Sequence, residues 1–345
     1  MKIGFFSDSY FPEIDGVTYT LKLWKQKLEE RGHEVYIIYP DSDEYEPGEN
    51  EIPVNSVGNP FYSGYNVAVP TSLDFPDLDI VHCHGPGPVG IAGRAYASRR
   101  DIPSVYTHHT PVEEYFEQSM KSETAAGALS RVYVPVEEWF LSKFDVITSN
   151  TDGGRRNLEM QKLAAGVEMD FFQSTDSDWD IEGTVIGYSG RLSNEKNVDQ
   201  ILKVAERFDE TFIIVGEGPE KEQLQKNVPD NVIFRDFLDR EDLPGYYSML
   251  DIYITASTGD TLGLSPLEAN ACGTPVVAPD VHPFNNTIEE QNGERFEYGN
   301  LNDMEEKIRN CLEREYSSRE SVRQYSMSKT IDQLEEIYRG LTIDR

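Results

Sequence analysis

Asp260-Thr-Leu-Gly-Leu-Ser-Pro-Leu-Glu268-Ala-Asn-Ala-Cys-Gly-Thr-Pro-Val-Val-Ala278 reads as a loop, a short helix and a buried strand in succession. The apolar run before it, Asp251-Ile-Tyr-Ile-Thr-Ala-Ser257, has the character of a strand, and the segment after Gly263 reads as a helix that ends at Cys272-Gly273. Two carboxylates eight positions apart, Asp260 and Glu268, therefore straddle a strand-to-helix turn. Asp260 falls in the loop at the carboxyl end of a strand and Glu268 on the following helix. In open α/β sheets that edge binds ligands, and helix N-terminal amides there favour anionic groups. Two acids at such a place suit sugar or ribose hydroxyls.

Working outward, residues 184–189 read as a strand, and Gly190-Arg191-Leu-Ser-Asn-Glu-Lys196-Asn197 leads as a loop into a helix over 198–208. Residues 211–215, 232–237 and 251–257 are further strands, with a helix carrying Tyr246-Tyr247 between the last two. A strand near 294–298 and helices over 301–341 complete the half. Strands that alternate with helices in this way predict a doubly wound parallel sheet. Arg191 and Lys196 straddle one βα loop, where fixed cations would stabilise the charge that develops on a dianionic leaving group.

The first half opens with a strand over 2–9, a loop through Tyr10-Phe-Pro-Glu-Ile-Asp-Gly16, a helix over 17–31 and a second strand over 34–40. Gly16 stands where the loop becomes the helix, which lets backbone amides approach a phosphate. Residues 44–76 lack sustained periodicity and predict long loops with one short strand near 66–69. Asp79-Ile-Val-His82-Cys-His84 resumes the sheet, and 103–110 forms the next strand, ending His108-His109. Alternation puts His82 and His84 on one face and His108 and His109 on opposite faces. A zinc site from these four is an alternative, but their spacing matches no common zinc pattern. Asp41-Ser-Asp43 admits a second alternative, the metal-binding Asp-x-Asp of glycosyltransferases with the GT-A fold. Asp77-x-Asp79, Asp176-x-Asp178 and Asp178-x-Asp180 show how readily such triplets arise in an acidic chain. From 111 to 144 the chain reads as helical, and 145–150 returns a strand.

The acid-x7-Glu pattern with Glu-Ala-x-Ala-Cys-Gly-Thr-Pro-Val-Val-Ala closely resembles the donor-sugar motif of retaining glycosyltransferases of family 4, which have the GT-B fold. Gly190-Arg191-x4-Lys196, Phe11-Pro12 with Gly16-Val17, and Thr107-x-His109-Thr110 followed by Glu113-Glu114-Tyr115 resemble further segments of that family. The last is closest to members that glycosylate lipids such as diacylglycerol or phosphatidylinositol. Asp260 departs from the commoner Glu and reaches one methylene less far. Gly166-Val-Glu-Met-Asp170-Phe-Phe172 resembles the turn that closes the family's first domain.

This resemblance implies an α/β protein of two Rossmann-like doubly wound domains with an interdomain cleft. It divides the chain into an acceptor-side domain over 1–172, a linker over 173–183, a nucleotide-sugar domain over 184–327, and a final helix at about 328–345 that crosses back to the first domain. It implies that Arg191, Lys196 and the Gly16 loop hold the diphosphate, Glu268 the ribose hydroxyls, and Asp260 with the amides of Leu262, Gly263 and Leu264 the sugar. The segment around Phe237 meets the base and His109 the donor sugar. His84 and His108 are read as structural. The expected reaction moves a hexosyl group from a nucleotide diphosphate sugar to an acceptor hydroxyl on a lipid or glycan, with no metal and no cofactor. A sugar-nucleotide epimerase or a phosphorylase of the same fold, or a non-catalytic nucleotide-sugar-binding protein, are the alternatives. The first two need a base or a lysine-bound cofactor for which no residue run stands out.

The composition narrows the partners. With 62 acidic against 31 basic residues the formal net charge is −31, which repels nucleic acid and anionic membranes. No apolar run reaches the length of a membrane span, and three scattered cysteines fit a reducing compartment. A cytoplasmic protein follows as the expectation, with peripheral contact at the inner face of the membrane left open. The acids are dispersed along the chain, as in proteins of high-salt cytoplasm, where screening relieves self-repulsion. The melting temperature is accordingly expected to rise on going from dilute buffer to molar potassium chloride; a flat response would remove the halophilic reading.

Overall fold

The computed structural model describes residues 1–13, 16–58, 66–72, 74–109, 123–150, 158–177, 179 and 181–343, with 123–128 as backbone only. Asp15, Thr110, the Glu113-Glu114-Tyr115 segment, Asp178 and Asp180 lie outside the described residues. Two units divide the chain: Met1–Ala165 with Thr330–Arg345, and Gly166–Lys329.

The first unit is built on β1 (Lys2–Phe6), β2 (Glu34–Pro40), β3 (Glu51–Val54), β4 (Ser56–Gly58), β5 (Asn66–Ala68), β6 (Ile80–Cys83), β7 (Ser104–His108), β8 (Val146–Ser149) and β9 (Gln161–Lys162). Seven of them form one parallel sheet in the order β3-β2-β1-β6-β7-β8-β9, while β4 and β5 pair separately as an antiparallel ribbon. The aperiodic 44–76 region thus holds two strands beyond the expected one, each three or four residues long and too short to establish a period. Central strands such as β6 and β7 are buried along their whole length, hence their continuous apolar or hydroxyl-bearing runs.

Helix α1 (Gly16–Glu30) buries Leu21, Trp24 and Leu28, an i, i+3, i+7 stripe, against this sheet. Helix α2 (Pro88–Arg100) begins with proline, and the buried Asp8 carboxylate accepts hydrogen bonds from the Gly87 and Val89 amides at 2.8 Å each. Glycine is required at Gly90, where a Cβ would lie 1.8 Å from the Gly85 carbonyl oxygen. Helix α3 (Glu123–Leu141) precedes β8.

The second unit carries β10 (Val185–Ser189), β11 (Thr211–Val215), β12 (Val232–Arg235), β13 (Ile252–Ile254), β14 (Val276–Pro279) and β15 (Gly293–Phe296). They form a parallel sheet in the order β12-β11-β10-β13-β14-β15, the doubly wound arrangement expected. Helices α4 (Val198–Ala205), α5 (Leu243–Met249) and α6 (Leu264–Ala271) connect these strands together with shorter helical turns, and α7 (Leu301–Leu312) follows β15. The division between the units falls at Ala165–Gly166, ahead of the Ser/Asp-rich stretch at 173–183 where composition places a linker. The Arg319 guanidinium explains the earlier division. It donates to the carbonyls of Met169 at 2.6 Å and Phe172 at 2.7 Å and to that of Ala271, which ties 169–172 into the second unit.

Helix α8 (Met327–Ile343) enters the first unit at Thr330. There Arg31 pairs with Asp332 at 2.6 Å, His33 with Glu335 at 2.8 Å, and the buried Tyr338 hydroxyl lies 2.7 Å from His82 Nδ1. The direction of every bond beyond Tyr338 follows from its far end. Thr148 donates to the Tyr106 carbonyl, so it accepts from Thr107 at 2.7 Å; Thr107 then accepts from His82 Nε2 at 2.7 Å, and His82 Nδ1 accepts from Tyr338. No atom of this buried chain is left without a partner. All three cysteines are free and buried, and no helix among the described residues is long and apolar enough to cross a membrane.

Replacing Tyr338 by Phe leaves His82 Nδ1 a buried acceptor without a donor, at an expected cost of about 1–3 kcal/mol. An earlier first-unit transition in denaturant unfolding is the expected outcome, and an unchanged midpoint would contradict it.

Candidate active site

In the second unit β10 and β13 lie side by side, yet the chain leaves them in opposite directions, from β10 toward β11 and from β13 toward β14. The loops after these two strands flank a topological switch point, where doubly wound sheets open a crevice at their carboxyl edge. Asn197 ties the loops together. It sits in the left-handed region at φ 50°, and its side-chain amide donates to the carbonyls of Glu195 and Ala256 at 3.1 Å each. The Thr258 amide returns a bond to the Glu195 carbonyl at 2.9 Å. The consequence is that Lys196, from one loop, meets Asp260, from the other, with Nζ 2.9 Å from Oδ1.

Both partners of that ion pair are about a fifth to a quarter exposed, so the charges remain accessible from solvent. Asp260 Oδ2 has no partner among the described residues, and the ammonium keeps donors to spare. Arg191 follows Gly190, whose φ of 153° disfavours a side chain and where a Cβ would lie 2.9 Å from the Tyr188 hydroxyl. Its guanidinium is exposed and makes no hydrogen bond or ion pair among the described residues, while its carbonyl accepts from Tyr188 at 3.0 Å. The structure brings Lys196 to Asp260 and leaves Arg191 apart from both.

Glu268 occupies α6, which is preceded by the N-cap Gly263 with φ 74°; a Cβ on Gly263 would lie 2.7 Å from the Phe284 ring. Leu262 is buried and Leu264 opens the helix, while Phe237, beyond β12, is 59% exposed. Glu268 is half-buried as a residue, but its carboxyl group is withdrawn from water, and that burial pushes its pKa up to about 7. The Tyr247 hydroxyl donates to it at 3.1 Å, which moderates the rise, and Ser189 Oγ lies 3.1 Å from the same hydroxyl. With Tyr247 committed to Glu268, Ser189 donates to Tyr247. Ser189 and Tyr247 thus orient the acid, a role the sequence does not signal beyond the Tyr246-Tyr247 pair itself.

In the first unit Gly16 is exposed at the first residue of α1. His109 follows β7 and is 8% exposed, with Nε2 3.0 Å from His84 Nδ1. Burial holds its pKa far down, at about 3, so the imidazole is neutral. His84, read as structural from the sequence, is therefore the direct partner of the site histidine. His108 points elsewhere, with Nε2 3.8 Å from the buried Glu137 carboxylate. His82 spends both ring nitrogens on Tyr338 and Thr107. Among the described residues no group of three or more His, Cys, Asp or Glu side chains is placed to hold a metal ion.

Comparison with known proteins agrees with this architecture. The family model described as Glycosyltransferase Family 4 matches residues 14–165, and that described as Glycosyl transferases group 1 matches 171–329. The chain is 27% identical over 327 residues to an alpha-monoglucosyldiacylglycerol synthase of Streptococcus pneumoniae, covering 84% of this chain and 74% of that one. It is 26% identical over 306 residues to a GDP-mannose-dependent alpha-mannosyltransferase of Mycolicibacterium smegmatis, covering 81% and 80%. A sucrose-phosphate synthase from Thermosynechococcus elongatus superposes over all of both chains with a TM-score of 0.76 at 17% identity, a likeness of fold. Two Rossmann-like units, each with a parallel sheet, and these matches define a GT-B glycosyltransferase. The chain belongs to glycosyltransferase family 4.

Glu268 yields a pH prediction whose sign is fixed. Its pKa is higher folded than unfolded, so the folded state holds the extra proton between pH 4.5 and about 7. The contribution to stability is complete below pH 4.5 and declines as pH rises toward 7. Glu268→Gln is expected to lack that decline, so the difference between parent and variant unfolding free energies falls as pH rises from 4.5 toward 7. The carboxyl carbon resonance of Glu268 should titrate near pH 7 in the parent and higher in Tyr247→Phe; titration near 4.5 would refute the burial assignment.

Proposed function

We propose that this glycosyltransferase is a retaining hexosyltransferase that moves a sugar from a nucleotide diphosphate donor to a hydroxyl of a membrane lipid or a glycan. The observation that carries the reading is the Lys196–Asp260 pair at the switch point of the second unit. One carboxylate oxygen holds the ammonium in place, and the other is left for a sugar hydroxyl. This division of labour accommodates the shorter Asp where the family commonly has Glu. Names of the relatives support the reading: one is a synthase of a glucosyl lipid, another depends on GDP-mannose.

In this proposal Arg191 and Lys196 take up the charge that grows on the diphosphate as the glycosidic bond breaks. Lys196 is held in place by Asp260 before the reaction, so little reorganisation of its charge is needed. Glu268 accepts the ribose hydroxyls, the amides of Leu262, Gly263 and Leu264 serve the sugar, and Phe237 lies beside the base. In the first unit Gly16 is assigned to the diphosphate and His109 to the donor sugar. No side chain is assigned as nucleophile. The acceptor hydroxyl attacks on the face that the diphosphate leaves, and the departing phosphate oxygen takes its proton, so that configuration at the anomeric carbon is kept.

A lipid acceptor requires contact with a bilayer, and the proposal includes peripheral contact of that kind. Leu129, Val132, Val136 and Trp139 form one helical stripe on α3 and are 43%, 68%, 58% and 64% exposed. Spacings of three and four residues place them on a single face. With a net charge of −31, apolar insertion is the favourable term and attraction to anionic lipid is not.

A panel of nucleotide sugars, offered with free glycans and with diacylglycerol lipids in zwitterionic vesicles, tests the assignment by mass and by the anomeric configuration of the product. An inverted product would overturn the retaining mechanism. Arg191→Ala and Lys196→Ala are each expected to cost about 2–4 kcal/mol of transition-state stabilisation, read as kcat/KM. Activity close to the parent in either variant would remove that cation from the diphosphate.

A further inference from the structure

Three imidazoles pack beside Trp24 in the first unit. The His82 and His84 ring centroids are 4.1 Å apart, those of His84 and His109 5.3 Å, and Trp24 lies 6.2 Å from His109. Burial lowers the pKa of all three, so each ring is neutral and carries one N–H. A neutral imidazole has one donor and one acceptor, and which nitrogen bears the proton is set by the partners of the other.

His82 is already committed as the Nε2–H form by the chain from Thr148 to Tyr338. His84 Nδ1 and His109 Nε2, 3.0 Å apart, share one proton between them. Two arrangements exist, and the far side of His84 separates them. His84 Nε2 is buried and has no hydrogen-bond partner among the described residues. The His84 ring packs at steep angles to Phe5 and Trp24, with ring centroids 5.0 and 5.8 Å away, and the Trp24 N–H is spent on the Ala165 carbonyl at 2.7 Å.

A proton on His84 Nε2 would be a buried donor without an acceptor, at a cost of about 1–3 kcal/mol. A bare lone pair in the same place costs less, because proteins tolerate under-satisfied acceptors better than orphaned N–H groups. The His84 proton therefore sits on Nδ1 and is donated to His109 Nε2. The single proton of His109 is then left on Nδ1, which has no partner among the described residues.

We propose that His84 is a positioning residue that fixes His109 as the Nδ1–H tautomer, so that His109 presents a hydrogen-bond donor to an oxygen of the bound substrate and does not serve as a base. The inference rests on the reading that His109 meets the donor sugar. It gives that contact a direction: the recognised atom is an acceptor, a hydroxyl, ring or phosphate oxygen.

Long-range 1H–15N spectra of the full chain labelled with 15N-histidine read the tautomer without any substrate. In the parent His109 is expected with a protonated Nδ1 and a lone pair on Nε2. In His84→Asp, whose carboxylate accepts where the imidazole donated, the proton moves to Nε2. In His84→Asn, whose side-chain amide donates from nearly the same place, the parent tautomer is kept. Loss of one substrate hydrogen bond raises the donor KM about tenfold in His84→Asp, and His84→Asn holds it to within about threefold of the parent. An Nε2–H form of His109 in the parent, or the same tautomer in His84→Asp, overturns the proposal. A tautomer that switches as expected while donor kinetics stay unchanged overturns the contact between His109 and the donor, and with it the reading on which the inference rests.

Discussion

The side-chain amide of Asn197 joins the two loops on which the second-unit site depends. Parallel strands deliver their loops to one edge, but nothing in that rule fixes the distance between loops that leave β10 and β13 in opposite directions. The left-handed backbone at Asn197 turns its amide toward the carbonyls of Glu195 and Ala256, and the Thr258 amide closes the link. Lys196 is thereby held against Asp260, and the charge of the site is set by backbone geometry before any ligand arrives. A side chain without both amide hydrogens could not bridge the same carbonyls.

Burial governs the ionisation of the acids and imidazoles that matter most. Glu268 is drawn up to about 7 by loss of water, and Tyr247 holds it in orientation without returning it to the ordinary range. His109 is drawn down to about 3 by the same cause. An acid and an imidazole are each moved toward the neutral form, as loss of solvent demands of any charge. In the proposed site the two groups would therefore act through the direction of their hydrogen bonds.

Helix α8 serves the first unit in the same way. Its Tyr338 hydroxyl starts the chain that passes through His82, Thr107 and Thr148 to a backbone carbonyl, so polar groups of three neighbouring strands are joined to a segment 256 residues beyond His82 in sequence. The α3 stripe is of a different kind, being apolar surface exposed among the described residues.

The chain itself determined the alternation of strands and helices, because buried parallel strands are written as short apolar runs and the βα turns as glycines at fixed places. Strands at 34–40 and 211–215 agree with the structure to the residue. The placement of Arg191, Lys196 and Asp260 in loops beyond strand ends, and of Glu268 on the following helix, was legible because local pattern suffices there. What only the tertiary structure decided are relations between distant residues: the Lys196–Asp260 pair, the support of Glu268 by Tyr247, and the bond between His84 and His109. The two short strands in 51–58 and the early division at Ala165 belong with these, since pairing and the Arg319 contacts create them and periodicity does not. The reason is physical. Secondary structure follows from near-neighbour spacing along the chain, whereas hydrogen-bond partners, burial and ionisation depend on which groups the fold places within a few ångströms of one another.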